Sequence, residues 1–211
     1  MSSRIAILVF DGLTALDAIG PYEVLSRIPQ AELRFVAADA GPKRTDTGAL
    51  GIEADLALAD FPDPDIVLVP GGEGNRPLMT DDHVLGWLRS AHEASTWTTS
   101  VCTGALVLGA AGILRDKRAT THWAYLDRLR ELGAEPVAER YVEDGKVVTA
   151  AGVAAGIDMA LIVAARIAGE TVAQAIQLGI EYDPQPPFDT GSPHKAPQEL
   201  VDLIRSSELG D

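Results

Sequence analysis

The sequence predicts an α/β sandwich built around a largely parallel sheet. Two short, almost purely apolar runs, residues 5–10 and 65–69, have the composition of strands buried on both faces. Stretches of helical periodicity alternate with them, which is the pattern of α/β layers rather than of an all-β or all-α chain. A third run, residues 97–101, is β-rich and passes directly into Cys102 and then into the small and aliphatic residues 104–112. That order reads as a strand, a sharp turn and a buried helix.

Taken in order, residues 5–10 form the first strand. A turn at Asp11 and Gly12 leads to a helix in which Leu16, Ile19, Val24 and Ile28 share a face, with Thr14 as a candidate cap. Gly20 and Pro21 interrupt it. Proline suits a first helical turn, so the regular helix is expected to start near Pro21. Residues 33–38 form the second strand. Residues 45–58 alternate weakly around Gly48 and Gly51 and predict a hairpin or short edge strands.

Pro62 and Pro64 punctuate the chain before the strand at 65–69. Pro70, Gly71, Gly72, Glu73 and Gly74 follow it directly. Such glycines turn tightly and leave backbone N–H groups accessible, although they equally suit a simple turn. Thr80 or Asp81 caps the next helix, whose apolar stripe is Val84, Leu85, Leu88 and Ala91. Beyond Gly112, a helix over 124–132 stops at Gly133, and strands at 136–141 and 146–149 turn at Asp144 and Gly145. Residues 152–168 are helical with Ile157, Leu161 and Ala164 or Ala165 on one side. Another helix starts at Thr171 with Val172, Ile176 and Leu178 inward. The Pro-rich stretch 182–197 is expected to strap across a surface or reach a partner subunit, and a short helix at 199–207 closes the chain. Residues 1–211 read as a single domain.

Composition narrows the function classes. Of 211 residues, 46% are hydrophobic and 23% charged, a soluble globular profile. The formal net charge is -14, which leaves no basic footprint for nucleic acid and no polybasic membrane patch. The apolar runs are too short for a signal segment or a membrane span, so a cytoplasmic location is expected. A single cysteine forms no internal disulfide, and four scattered histidines make no zinc spacing, so neither metal nor organic cofactor is expected.

In open α/β sheets, ligands bind beyond the carboxyl ends of the strands. The turn after Phe10, the Gly71–Gly72 loop and Cys102 all fall on that edge. A thiol at a helix start meets unpaired N–H groups and the positive end of the helix dipole, which favour its thiolate. The arrangement parallels the strand–nucleophile–helix elbow of hydrolases. By itself, a lone cysteine in an apolar stretch reads equally well as a small buried hydrophobe.

The residues that decide between these readings resemble the DJ-1/PfpI superfamily, and within it the isonitrile hydratases, almost end to end. They include Leu16 and Asp17 with Gly20 and Pro21; Val69 to Gly72; Ser100 to Gly104; and Arg118 to Trp123. Further matches are Ala155 to Asp158, Gln177 and Leu178, Glu181 and Tyr182, and Pro186 to Phe188 with Gly191 to Pro193. The resemblance implies a flavodoxin-like three-layer sandwich of the class I glutamine amidotransferase type, a homodimer, and a cysteine on a strained elbow. It also implies an acidic partner from the first helix, here Asp17. Protease members carry His after the nucleophile, whereas Thr103 stands there in this chain. His122, with Gly71 and Val153, is a secondary candidate. The chain departs from the hydratase pattern at Ala150 to Val153 and at Glu73 to Arg76.

The implied chemistry is hydration of a small-molecule isonitrile to an N-substituted formamide through a thioimidate on Cys102. Asp17 is the expected proton shuttle, with its pKa raised by burial and by the neighbouring thiolate. The Gly72 and Thr103 N–H groups are expected to stabilise charge, and the Thr103 hydroxyl to bond Asp17 or water. A glyoxalase or amidase-like hydrolase using the same residues, and a non-catalytic thiol stress sensor, are the alternatives.

Overall fold

The computed structural model describes residues 3–209. The chain forms two compact units, divided after Ile180. In the first, the elements run β1 (Ser3–Leu8), α1 (Ala15–Leu25), β2 (Ala31–Ala37), β3 (Gly41–Arg44), β4 (Gly51–Ala54), β5 (Leu56–Ala57), β6 (Ile66–Val69), α2 (Asn75–Leu78), α3 (Asp82–Ala94), β7 (Trp97–Val101) and α4 (Gly104–Ala110). They continue as β8 (Arg118–Ala119), α5 (Leu126–Glu131), β9 (Glu135–Pro136), β10 (Tyr141–Asp144), β11 (Val147–Ala150), α6 (Ala155–Ala168) and α7 (Glu170–Gly179). The second unit has no helix or strand over 181–197 and then carries α8 (Gln198–Leu209). Among the described residues, no helix is long and apolar enough to cross a membrane.

The sheet has seven strands in the order β10-β11-β7-β6-β1-β2-β5, all parallel except the β10–β11 pair. Helices α1 and α6 pack together in one layer, and α3, α4 and α5 follow one another in the other. The central strands are buried on both faces: Ile5, Ile7, Ile66, Leu68 and Val101 are at most 1% exposed. Each such side chain contributes roughly 1.5–3 kcal/mol relative to exposure, which explains why these runs are apolar without alternation. Register levels the strand ends. Leu68 pairs with both Ile7 and Thr99, and Thr99 pairs with Val148. The carboxyl ends of β1, β6, β7 and β11 therefore form one edge, and strand order reverses between β1 and β6.

Several expectations are corrected here. Helix α1 runs through Gly20 and Pro21 instead of starting near Pro21. Proline removes the bond to the Asp17 carbonyl, but packing on α6 compensates: a Cβ on Gly20 would lie 3.0 Å from Ile157, and one on Gly156 3.2 Å from Pro21. Leu16 is exposed, and Thr14 makes no side-chain cap. Of the two candidate caps of α3, Asp81 serves, accepting from the His83 and Val84 N–H groups. The hairpin over 45–58 begins earlier, at Gly41. Residues 135–136 pair with β8, so the partner of β11 starts only at Tyr141.

The stripe read for α6 is also shifted. Met159, Ala160, Val163 and Ala164 face the core, while Ile157 and Leu161 are half-buried. In α7, Ala173 and Ile176 are buried at i, i+3 spacing and Leu178 is 81% exposed.

Candidate active site

Strand β7 ends at Val101, and Cys102 takes φ 55°, the left-handed region. For a residue other than glycine this costs about 1–2 kcal/mol, so the surroundings must enforce it. They do so from two directions. The Cys102 N–H is shared between the Ala150 and Ala151 carbonyls at 3.1 and 3.0 Å. The Cys102 carbonyl accepts the Thr121 hydroxyl at 2.8 Å. Glycine at 104 lets α4 begin immediately: a Cβ there would sit 2.1 Å from the Val69 carbonyl oxygen. The cysteine itself is 7% exposed.

Asp17 comes from the first turn of α1 and is fully buried. Its Oδ2 accepts the Gly71 N–H at 2.9 Å. The Cys102 thiol also hydrogen-bonds its carboxyl. Oδ1 is buried with no hydrogen-bond partner among the described residues. Burial pushes the Asp17 pKa up to about 7; the Gly71 N–H and the Cys102 thiol pull it down, and the Asp46 charge pushes it further up. Burial wins because a desolvated carboxylate with one backbone donor is far short of its hydration in water. Asp17 and Cys102, expected to meet from distant parts of the sequence, are neighbours.

The Thr103 hydroxyl accepts the Gly72 N–H at 3.0 Å. That engagement removes the Gly72 N–H as a free donor. Among the described residues, neither the Thr103 N–H nor the Gly104 N–H has an acceptor, so both are donors left at the head of α4. Gly71 is packed tightly between these groups. A Cβ on it would lie 2.6 Å from both Thr103 N and Thr103 Oγ1, and 2.9 Å from Asp17 Oδ2. The Gly71 carbonyl accepts the Thr14 N–H at 2.9 Å, which ties the start of α1 to the loop after β6.

His122 is half-buried, one residue beyond the Thr121 that holds the elbow. Its ring lies against Gly152, where a Cβ would approach its Cδ2 to 2.9 Å, and beside the Trp123 ring at 5.4 Å. Val153 is half-buried in the turn leading into α6. Two residues were missed from sequence: Thr121, and Asn75, whose side chain is buried and donates to the Thr103 carbonyl at 3.0 Å. Thr121 lies within the 118–123 motif and Asn75 next to the glycine loop, and that adjacency was the available signal. Among the described residues, no group of three or more His, Cys, Asp or Glu side chains is placed to hold a metal ion.

A left-handed cysteine between a parallel strand and a glycine-started helix, with a buried carboxyl beside it, can be set against known proteins. The DJ-1/PfpI family pattern matches residues 3–166. This chain belongs to the DJ-1/PfpI family. An isonitrile hydratase from Pseudomonas putida is 47% identical over 205 residues, covering 97% of this chain and 90% of that protein. The crystal structure of a THiJ/PfpI family protein from Pseudomonas syringae superposes with a TM-score of 0.95 at 34% identity, over 99% of this chain and 87% of that one. Drosophila melanogaster DJ-1beta shares the fold, with a TM-score of 0.80 at 22% identity over 87% of this chain. The DJ-1/PfpI membership and the α/β architecture read from the sequence are therefore both found.

Proposed function

We propose that this protein is a cysteine-dependent isonitrile hydratase. The observation that carries the reading is the buried pair: a carboxyl that titrates near neutrality, hydrogen-bonded to a thiol held on a strained elbow. Likeness to the Pseudomonas putida isonitrile hydratase over nearly the whole chain supports the substrate class.

The Cys102 thiolate attacks the terminal carbon of R–N≡C. Asp17 donates its proton to that carbon, giving the thioimidate R–N=CH–S–Cys102. A carboxyl with a pKa of about 7 holds a proton to give at neutral pH and afterwards accepts one efficiently. Water then adds to the carbon; Asp17 takes a proton from it and passes that proton to nitrogen. The C–S bond breaks as the hydroxyl proton returns to Asp17. N-substituted formamide leaves, with the thiolate and the protonated acid restored. The Thr103 N–H faces the charge that develops during these additions, and Gly72 and Asn75 hold Thr103 in place. No metal or cofactor enters these steps. The same reading carries a cytoplasmic homodimer, for which a dimer mass in light scattering at micromolar concentration is the check.

The test is formamide formation from a panel of small alkyl and aryl isonitriles, with methylglyoxal alongside. Isonitrile turnover that vanishes in Cys102→Ala supports the reading. Turnover of methylglyoxal alone assigns the site to carbonyl chemistry. No turnover of either, with a peroxide-dependent mass gain on Cys102, assigns it to redox sensing.

A further inference from the structure

The β3–β4 hairpin forms a two-stranded sheet of its own, yet its tip is tied to the active-site loop. Leu13 bridges to Thr45, the Gly12 N–H donates to the Arg44 carbonyl at 2.7 Å, and the Asp46 N–H donates to the Leu13 carbonyl at 2.9 Å. Asp11 Oδ1 returns the contact by accepting the Arg44 N–H at 2.8 Å. The last tie reaches the helix that carries Asp17. Thr14 stands at the N-cap of α1, but its hydroxyl donates outward to Asp46 Oδ2 at 2.8 Å instead of accepting from the helix.

The geometry points to Asp46 as a positioning residue for Asp17: by holding Thr14 it fixes the start of α1, and with it the depth and protonation of the buried acid. The link is short. The Thr14 carbonyl accepts the Asp17 N–H at 3.1 Å, and the Thr14 N–H donates to the Gly71 carbonyl, whose own amide binds Asp17. Asp46 thus acts on both ends of the clamp around the carboxyl. Its negative charge acts in the same sense, favouring the protonated acid. Of the other groups around Asp17, the Cys102 thiol works the opposite way. Helix α6 presents Ile157 and Gly156 to α1 at Gly20 and Pro21, and neither carries charge. The acidic neighbours on the adjoining loops, Asp11 and Glu73, are exposed. Asp46 is exposed as well, so its through-space effect is screened by salt.

The role rests on the proposed hydratase chemistry for its kinetic readout but not for its structural one. In full-length protein with 13C-labelled aspartate carboxyls, the Asp17 resonance, identified by its loss in Asp17→Asn, is titrated at low and at high salt. Asp46→Asn keeps an acceptor for Thr14 and removes the charge. It should lower the Asp17 midpoint by several tenths of a pH unit at low salt, and by less at high salt. Asp46→Ala loses the acceptor too, and should also reduce kcat several-fold with little change in KM. Asp46→Glu should recover the wild-type midpoint in part. In formamide assays the alkaline limb of the rate profile should move down with the midpoint. An Asp17 midpoint unchanged in both Asp46→Asn and Asp46→Ala overturns the role, whatever the kinetics. Absence of isonitrile turnover in the wild type overturns the hydratase reading and leaves the titration to decide Asp46.

Discussion

Thr121 donates its hydroxyl to the carbonyl of Cys102 across a gap of 19 residues, and it is 1% exposed while doing so. Replacing it with valine keeps the shape and removes this hydroxyl donor, leaving the carbonyl with the longer Ala105 N–H contact at 3.4 Å. A buried polar group that loses a partner costs roughly 1–3 kcal/mol, and the remaining contact puts this case at the low end. Thr121→Val should therefore lose on the order of 1 kcal/mol in urea unfolding and several-fold in kcat, while Thr121→Ser stays near wild type in both. Equal stability of the valine variant and the wild type would contradict the account of how the elbow is held.

The left-handed φ of Cys102 makes an unusual ranking of substitutions. Glycine takes this backbone conformation without strain, whereas an alanine costs about 1–2 kcal/mol. Both variants should be inactive. Cys102→Gly should nevertheless unfold at higher denaturant than Cys102→Ala, the reverse of the order found in ordinary strands and helices. Denaturation midpoints of the pair decide it.

Asp17 gives stability a pH dependence whose sign follows from its raised pKa. An unfolded aspartate ionises near 3.9, whereas the folded one holds its proton until about 7. Between these values the folded state binds the extra proton, so stability falls as pH rises. The loss is complete above about pH 7 and amounts to on the order of 4 kcal/mol. Asp17→Asn removes this loss. Relative to the wild type, it should gain stability at pH 8 and gain nothing from this source at pH 4. The measurement is chemical denaturation of both proteins across that range.

The same substitution separates acid catalysis from thiol reactivity. A positioned acid contributes typically 10²–10⁴-fold, so Asp17→Asn should cut formamide formation by about that factor. Cys102 should still alkylate with iodoacetamide. Asp17→Glu moves the carboxyl by about 1 Å, and a site this tightly packed around Gly71 should retain partial activity at best. Near-wild-type turnover in Asp17→Asn would remove Asp17 from the chemistry.

Gly71→Ala should be more damaging than its small size suggests. The added methyl meets Thr103 N, Thr103 Oγ1 and Asp17 Oδ2 at under 3.0 Å. We expect loss of activity of at least a hundredfold together with a lowered Tm, since backbone on both sides must shift. Gly86→Ala, inside α3 where a Cβ would meet nothing, is the control and should leave activity unchanged while holding or slightly raising Tm.

Strand β7 and the elbow were legible in the sequence because a β-branched run there stops at the only cysteine and gives way to glycine and alanine. Burial of β1 and β6 was legible for the same local reason: four or more apolar residues in a row. The passage of α1 through Pro21 was not legible, because the packing of Pro21 against Gly156 that outweighs the lost helical bond comes from a helix far along the chain. The neighbours that hold the site were hidden too. Asn75 reaches Thr103 over 28 residues and Thr14 reaches Asp46 over 32, and nothing in either stretch alone marks the partner. Thr103 illustrates the limit within a single residue. Its position next to Cys102 is plain from the chain, but the group its hydroxyl accepts from depends on where the loop after β6 lies.

The amide of Cys102 is received by the carbonyls of Ala150 and Ala151. During synthesis, then, the thiol precedes its own frame by almost fifty residues. A chain emerging from the ribosome displays the thiol while β11 is still unmade, with no acceptor to hold the left-handed turn. Truncated chains ending before residue 150 should react with alkylating agents as ordinary unstructured thiols do, and cotranslational labelling of Cys102 would time the birth of the site to the arrival of β11.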